Sequence, residues 1–338
     1  MIDVEPLTPF STSAMTDSDA TTSDACPLSL DLSDEQRFLP EGPYAMAEGK
    51  LSWVGIQHGS DSTVGSLNVL DLDSMSNVRH DLPARPGFAF PCTGGRRFVV
   101  GMHREVGVFD AESGTFEAIA EGIDGDQTNT IINDGVLHGD HVIFGTKDLE
   151  FATKKAGLYL LNLRDGRLIR LRDDQICSNG KVVLSGDDAS LAFLDIDSPT
   201  RTVVRYDLDL ASGDLSPATK VLDFDGDPAV PDGMVGTPDG RGVIVAMFRP
   251  EVADHGETRW YELDGGHLRH VWKTPHSPQN TCPALVPTAD GSRLIITTAI
   301  ENFDAESVTK CPAAGKLFLA DVTSCDFGDV TLPPAASI

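Results

Sequence analysis

The 338-residue chain is short of several things, and each shortage removes a class of protein. Its six cysteines (Cys26, Cys92, Cys177, Cys282, Cys311 and Cys325) are scattered, and none forms a C-x-x-C pair. That removes the common zinc and thioredoxin-type signatures and predicts free thiols in a reducing compartment. No apolar run approaches the roughly 18 residues that a membrane-crossing helix needs. No long stretch carries the 3.6-residue apolar period, so helices are not expected to build the core. G-x-S-x-G, Walker and Rossmann glycine patterns are missing, which sets aside serine-hydrolase and nucleotide chemistry. His138 and His141 flank a turn and form no H-E-x-x-H pair. Basic residues are scarce: 26 Lys and Arg stand against 52 Asp and Glu, a formal net charge of −26. A surface of that sign repels phosphate backbones and argues against a nucleic-acid partner. Residues 1–24 have neither a basic nor an apolar segment of signal-peptide type. Their Ser/Thr/Asp richness predicts a mobile polar tail, and the chain as a whole is expected in the cytoplasm.

Turn residues, by contrast, are plentiful, with 32 Gly and 21 Pro, and they are periodic. Six times a tight Gly/Asp turn precedes a strand-like apolar run, as in AEGKLSWVGI, TGGRRFVVGM and ADGSRLIITT. The turn positions Gly49, Gly95, Gly139, Asp188, Gly240 and Gly291 are 46, 44, 49, 52 and 51 residues apart. A second hairpin half follows most of them, for example GLYLLNLRDGRLIRL, with alternating apolar residues broken by Asp-Gly or Ser-Gly. A repeat of about 40–50 residues holding four strands is the propeller period. The fold class predicted is all-β: a six-bladed β-propeller of four-stranded antiparallel blades with a central metal site, spanning residues 25–338. The segment CPLSLDL at 26–32 alternates and is expected to supply the outer strand of the last blade, closing the ring and covering a bare edge.

Shortly before each turn, at the start of the innermost strand, four blades carry a side-chain oxygen. Glu41 lies 8 residues before Gly49, Asn133 lies 6 before Gly139, Asn179 lies 9 before Asp188, and Asp232 lies 8 before Gly240. The other two blades place Gly87-Phe88 and Cys282-Pro283 there. Equal phase in a propeller means equal height beside the channel. Two carboxylates and two carboxamides converging there call for a cation, and all-oxygen ligation selects hard ions: Ca²⁺ first, with Mg²⁺, Mn²⁺ or Zn²⁺ as alternatives. The acidic run DFDGDPAVPDG at 223–233 lacks the closing glutamate of an EF-hand loop and is not read as one.

These residues resemble the regucalcin/gluconolactonase family, the senescence-marker-like calcium lactonases. Four stretches carry the resemblance in order: LPEGP at 39–43, INDG at 132–135, CSNG at 177–180 and VPDGM at 230–234. It implies a central metal held by Glu41, Asn179 and Asp232. Asn133 would be a ligand or a contact to metal-held water and substrate, and Asp232 the acid/base. It also implies that Glu150 touches substrate. One position departs from the pattern: where the family often has a substrate-contacting arginine, two residues before Asn-Asp-Gly, this chain has Ile131.

The activity expected is metal-dependent opening of a lactone ring. Two alternatives share the cage: a phosphotriester or P–F hydrolase, and a non-catalytic calcium-binding propeller. A small lactone is the expected partner, with the protein a monomer or weak homo-oligomer. Specificity is expected from the connecting loops at 60–65, 147–155, 249–257 and 300–311.

Overall fold

The computed structural model describes residues 20–338. The described residues form six sheets, five of four strands and one of five; consecutive hairpins build consecutive blades, and N-terminal strands join the edges of the last two. The innermost strands are Pro40–Ala47, Pro86–Pro91, Thr130–His138, Ser178–Gly186, Val230–Gly236 and Asn280–Thr288. Each turns at the glycine or aspartate position read from the sequence and pairs antiparallel with the next strand. The architecture is the six-bladed propeller the repeat predicts.

The last blade is closed by the N-terminal segment. Cys26 and Pro27 pair antiparallel with Leu319 and Phe318, while Leu28, Leu30 and Leu32 pack onto the neighbouring core. Residues 20–24 fall within the stretch expected to be a tail, and Thr21–Asp24 adds a fifth strand to blade five, parallel to Leu268–Pro275. The physical reason lies in the partner: Thr21 and Ser23 hydroxyls bond the His270 ring at 2.6 and 2.8 Å, so polar side chains find an edge to dress. Residues 1–19 lie outside the described residues.

The core sits between blades. Phe88, Phe90, Phe144 and Tyr159 pack in one cluster of blades two and three, and Trp53, Leu51 and Ile295 in another across the closure. All six cysteines are free thiols. No helix among the described residues is long and apolar enough to cross a membrane.

One irregularity recurs in every blade and positions the site. The register between the innermost strand and its neighbour shifts at Glu41/Tyr44, Pro86/Phe88, Ile132/Gly135, Asn179/Lys181, Pro231/Met234 and Asn280/Pro283. A bulge bends the strand and re-aims a side chain that strict alternation would send elsewhere. The six bulges form a ring around the channel, and the four oxygen-bearing residues stand in it or one residue before it.

Candidate active site

The glycines after the site residues let the inner strands crowd around the channel. A Cβ on Gly180 would stand 2.7 Å from the Asp232 carbonyl oxygen, and one on Gly233 would stand 2.5 Å from Cys282 Sγ. The glycines of the S-N-G and P-D-G motifs are therefore packing devices: each admits the neighbouring blade close beside the residue that carries the site side chain.

Glu41, Asn133, Asn179 and Asp232 all line one cavity of about 390 Å³ at the end of the channel where the inner strands begin. Asn133 Nδ2 donates to Asn179 Oδ1 and to the Ser178 carbonyl, both at 2.8 Å. Asn179 Nδ2 donates to Ser198 Oγ at 2.8 Å, and that hydroxyl donates to the Pro231 carbonyl at 2.7 Å. This chain runs through three blades and ends beside Asp232. With its amide hydrogens committed to protein, Asn133 turns Oδ1 to the cavity, where it meets no hydrogen-bond donor among the described residues.

Charge is the second feature of the site. Burial and the Asp134 carboxylate push Glu41 up to about 8, against one backbone N–H from Gly42 that favours the ionised form. Burial and the charge of Glu41 hold Asp232 well above the usual carboxylate range, with Lys147 acting in the opposite sense. Desolvation and like charge explain both shifts. The thiols of Cys177 and Cys282 are pushed up by burial in the same field, so they stay protonated and offer no thiolate nucleophile.

A divalent cation fits this donor set chemically: two carboxylates that repel one another, plus the unpartnered Asn133 carbonyl and the Asn179 carbonyl, all hard oxygen. The two amides are needed, because no group of three or more His, Cys, Asp and Glu residues suited to a metal occurs among the described residues.

Three of the four loops expected to set specificity reach the cavity, through Lys147 and Phe151, through Pro250, and through Glu301 and Asn302. The loop at 60–65 contributes no lining residue. Glu150 does not line the cavity either; its carboxylate accepts from Asn129 Nδ2 at 3.1 Å, while its neighbour Phe151, itself half exposed, stands at the cavity's edge. Ile131 is buried, paired across the ladder with Lys147. The residues that the repeat pattern did not flag are Lys147, Arg201 and Glu301. The loops expected to set specificity, at 147–155 and 300–311, pointed toward the first and the last of them.

Phe151, Arg201 and Asn302 share a further property: φ values of 50°, 57° and 61°, in the left-handed region. Non-glycine residues there cost roughly 1–2 kcal/mol each, and such conformations concentrate where function constrains the backbone.

The fold and site define a six-bladed β-propeller with a carboxylate-and-amide pocket at one end of its channel. Residues 39–300 match the SMP-30/Gluconolactonase/LRE-like region, and the chain belongs to that family. A putative sugar lactone lactonase YvrE from Bacillus subtilis is 34% identical over 179 residues, 53% of this chain and 57% of that protein. Regucalcin from Danio rerio is 29% identical over 195 residues, 57% of this chain and 62% of its own. The matches thus span little more than half the length of these curated relatives. Among solved structures, a calcium-binding regucalcin from Agrobacterium tumefaciens superposes with a TM-score of 0.75 at 22% identity, covering 94% of this chain and 99% of its own. A gluconolactonase from Xanthomonas campestris gives 0.57 at 16% identity, covering 88% and 96%. At these identities the structures speak for the fold.

Proposed function

We propose that this protein is a metal-dependent lactone hydrolase of the gluconolactonase type. Glu41, Asn133, Asn179 and Asp232 hold a divalent cation, calcium foremost, and Asp232 is the acid/base. The observation that carries the proposal is the convergence of these four oxygen donors on one cavity, in a chain of this family. The bound ion would polarise the ring carbonyl and offset negative charge as it develops, a contribution worth several kcal/mol.

Asp232 takes a proton from the water that adds to the carbonyl carbon. As the ring C–O bond breaks, it returns that proton to the ring oxygen, which leaves as a hydroxyl. The water oxygen remains in the product carboxylic acid, which loses its remaining proton to solvent. With a bound ion offsetting the like charge of Glu41, Asp232 would be ionised and able to accept that proton, and general-base assistance contributes about 10²–10⁴-fold. Asn133 Oδ1 is free to accept from a substrate hydroxyl or to complete the ion's shell.

The test is ring opening by chelator-treated protein on sugar, aliphatic and aromatic lactones, with Ca²⁺, Mg²⁺, Mn²⁺ or Zn²⁺ restored singly. Metal-dependent turnover is expected, falling by 10²-fold or more in Asp232→Asn. Full activity in that variant refutes the acid/base role. Failure to open any lactone, while an ion still raises the melting temperature, refutes the lactonase reading and brings forward a phosphotriester substrate or a non-catalytic ion-binding role.

A further inference from the structure

Lys147 is a buried cation, with 6% of its surface exposed, and it lines the cavity of the four oxygen donors. It forms no salt bridge and donates no hydrogen bond to a described residue. Glu41 and Asp232 feel its charge, yet neither comes within ion-pair distance. Its Nζ stands 5.8 Å from the Phe151 ring centroid, above the ring rather than against a carboxylate. The other cation in the cavity, Arg201, spends its guanidinium on the Asp227 and Ala229 carbonyls at 2.6 and 2.8 Å. Lys147 is thus the cavity's uncommitted positive charge, and a buried ammonium is expensive unless an anion meets it. The rest of the cavity is mixed: Leu39, Ile56, Val230 and Phe248 are apolar, and beside them stand the carboxylates of Glu41, Asp232 and Glu301.

We propose that Lys147 selects the substrate by binding a carboxylate carried on the lactone, so that the preferred class is a carboxylated lactone. This rests on the lactonase reading for turnover, but not for binding. An ammonium–carboxylate contact is charge-assisted and discriminates steeply against a neutral isostere, whose site would keep an unpaired charge.

The experiment compares 5-oxotetrahydrofuran-2-carboxylate with its carboxamide, and measures glutarate binding by calorimetry with calcium and with chelator. The variants are Lys147→Met and Lys147→Arg, each checked by its melting curve. The wild type is expected to prefer the acid over the amide by 10-fold or more in kcat/KM. In Lys147→Met that ratio should fall to about one through KM, and in Lys147→Arg it should survive. Glutarate should bind the wild type at least 10-fold more tightly than Lys147→Met. No preference for the acid, or a preference that persists in Lys147→Met, overturns the inference while leaving a lactonase intact. If no lactone is opened, glutarate decides alone: loss of binding in Lys147→Met sustains the anion site without the lactonase, and equal binding overturns it.

Discussion

The carboxylate pair makes the metal-free protein lose stability as pH rises, and the size of the loss follows from Glu41. Its folded-state pKa is about 8 against an ordinary 4.5, chiefly through burial and then through Asp134. Between those values the native state binds a proton that the unfolded chain has released. Stability is therefore full below about pH 4.5 and is lost as pH climbs through 8, at about 1.4 kcal/mol per unit. The whole window amounts to about 5 kcal/mol, and the part between pH 5.5 and 8 to about 3 kcal/mol. Asp232, shifted the same way, adds to it. Urea unfolding at pH 5.5 and pH 8 in chelator measures the drop. Glu41→Gln, which cannot ionise, should remove Glu41's share and relieve Asp232 of its nearest like charge. A bound divalent ion reverses the preference, because it favours the ionised pair and competes with protons. Calcium should then stabilise the wild type more at pH 8 than at pH 5.5, and Glu41→Gln much less at either. Parallel pH curves for wild type and Glu41→Gln would refute the claim that this carboxylate is buried against its own charge. Calcium stabilisation that is the same at both pH values would refute the cage.

Three further outcomes are expected. Asp148 has no exposed side-chain surface, and burial would raise its pKa. The Lys155 ammonium at 2.9 Å and the backbone N–H groups of Glu150, Thr153 and Ala152 outweigh that and hold it well below the usual range. Asp148→Ala should cost on the order of 3–5 kcal/mol in urea unfolding, as loss of a buried paired charge does. The wild-type contribution should be present above about pH 4 and fade as pH falls below it. Lys181 and Asp195 form a pair at 3.1 Å with almost no exposure, so Lys181→Met should destabilise by about 3–5 kcal/mol and Asp195→Leu in the same chain should recover much of it. Gly180→Ala would force a methyl to 2.7 Å from the Asp232 carbonyl. It should lower the melting point, with about 1–3 kcal/mol lost to overpacking, and weaken calcium binding at the same time.

How much of this was legible in the sequence depends on what repeats. The propeller was, because six Gly/Asp turns at near-constant spacing leave a trace in any blade-by-blade reading. Glu41, Asn133, Asn179 and Asp232 were, because they share one phase of that repeat and the structure brings all four to one cavity. The bulge that turns them inward was not legible: it is a register shift between two strands, and a single strand's sequence does not record it. Thr21–Asp24 looked like tail because Ser, Thr and Asp carry no apolar alternation; a waiting sheet edge supplied what its own composition lacked.

Residues 147–151 show why the rest of the pocket was hidden. Glu150 and Phe151 are adjacent and both exposed, yet of the two it is the left-handed Phe151 that lines the cavity, while the acid bonds Asn129. Polarity alone would assign them the other way round. Lys147, three residues earlier, reads as one charge among several in KDLEFATKK, and nothing in that string marks it as 94% buried. Its ladder partner on the inner strand is the buried Ile131. The inner strand gives this pocket an apolar residue, and the second strand gives it a cation. The four oxygen-bearing residues stand at one phase of the repeat, whereas Lys147 comes from a position outside that phase. Substrate choice should therefore follow Lys147 more closely than any of the four oxygen ligands.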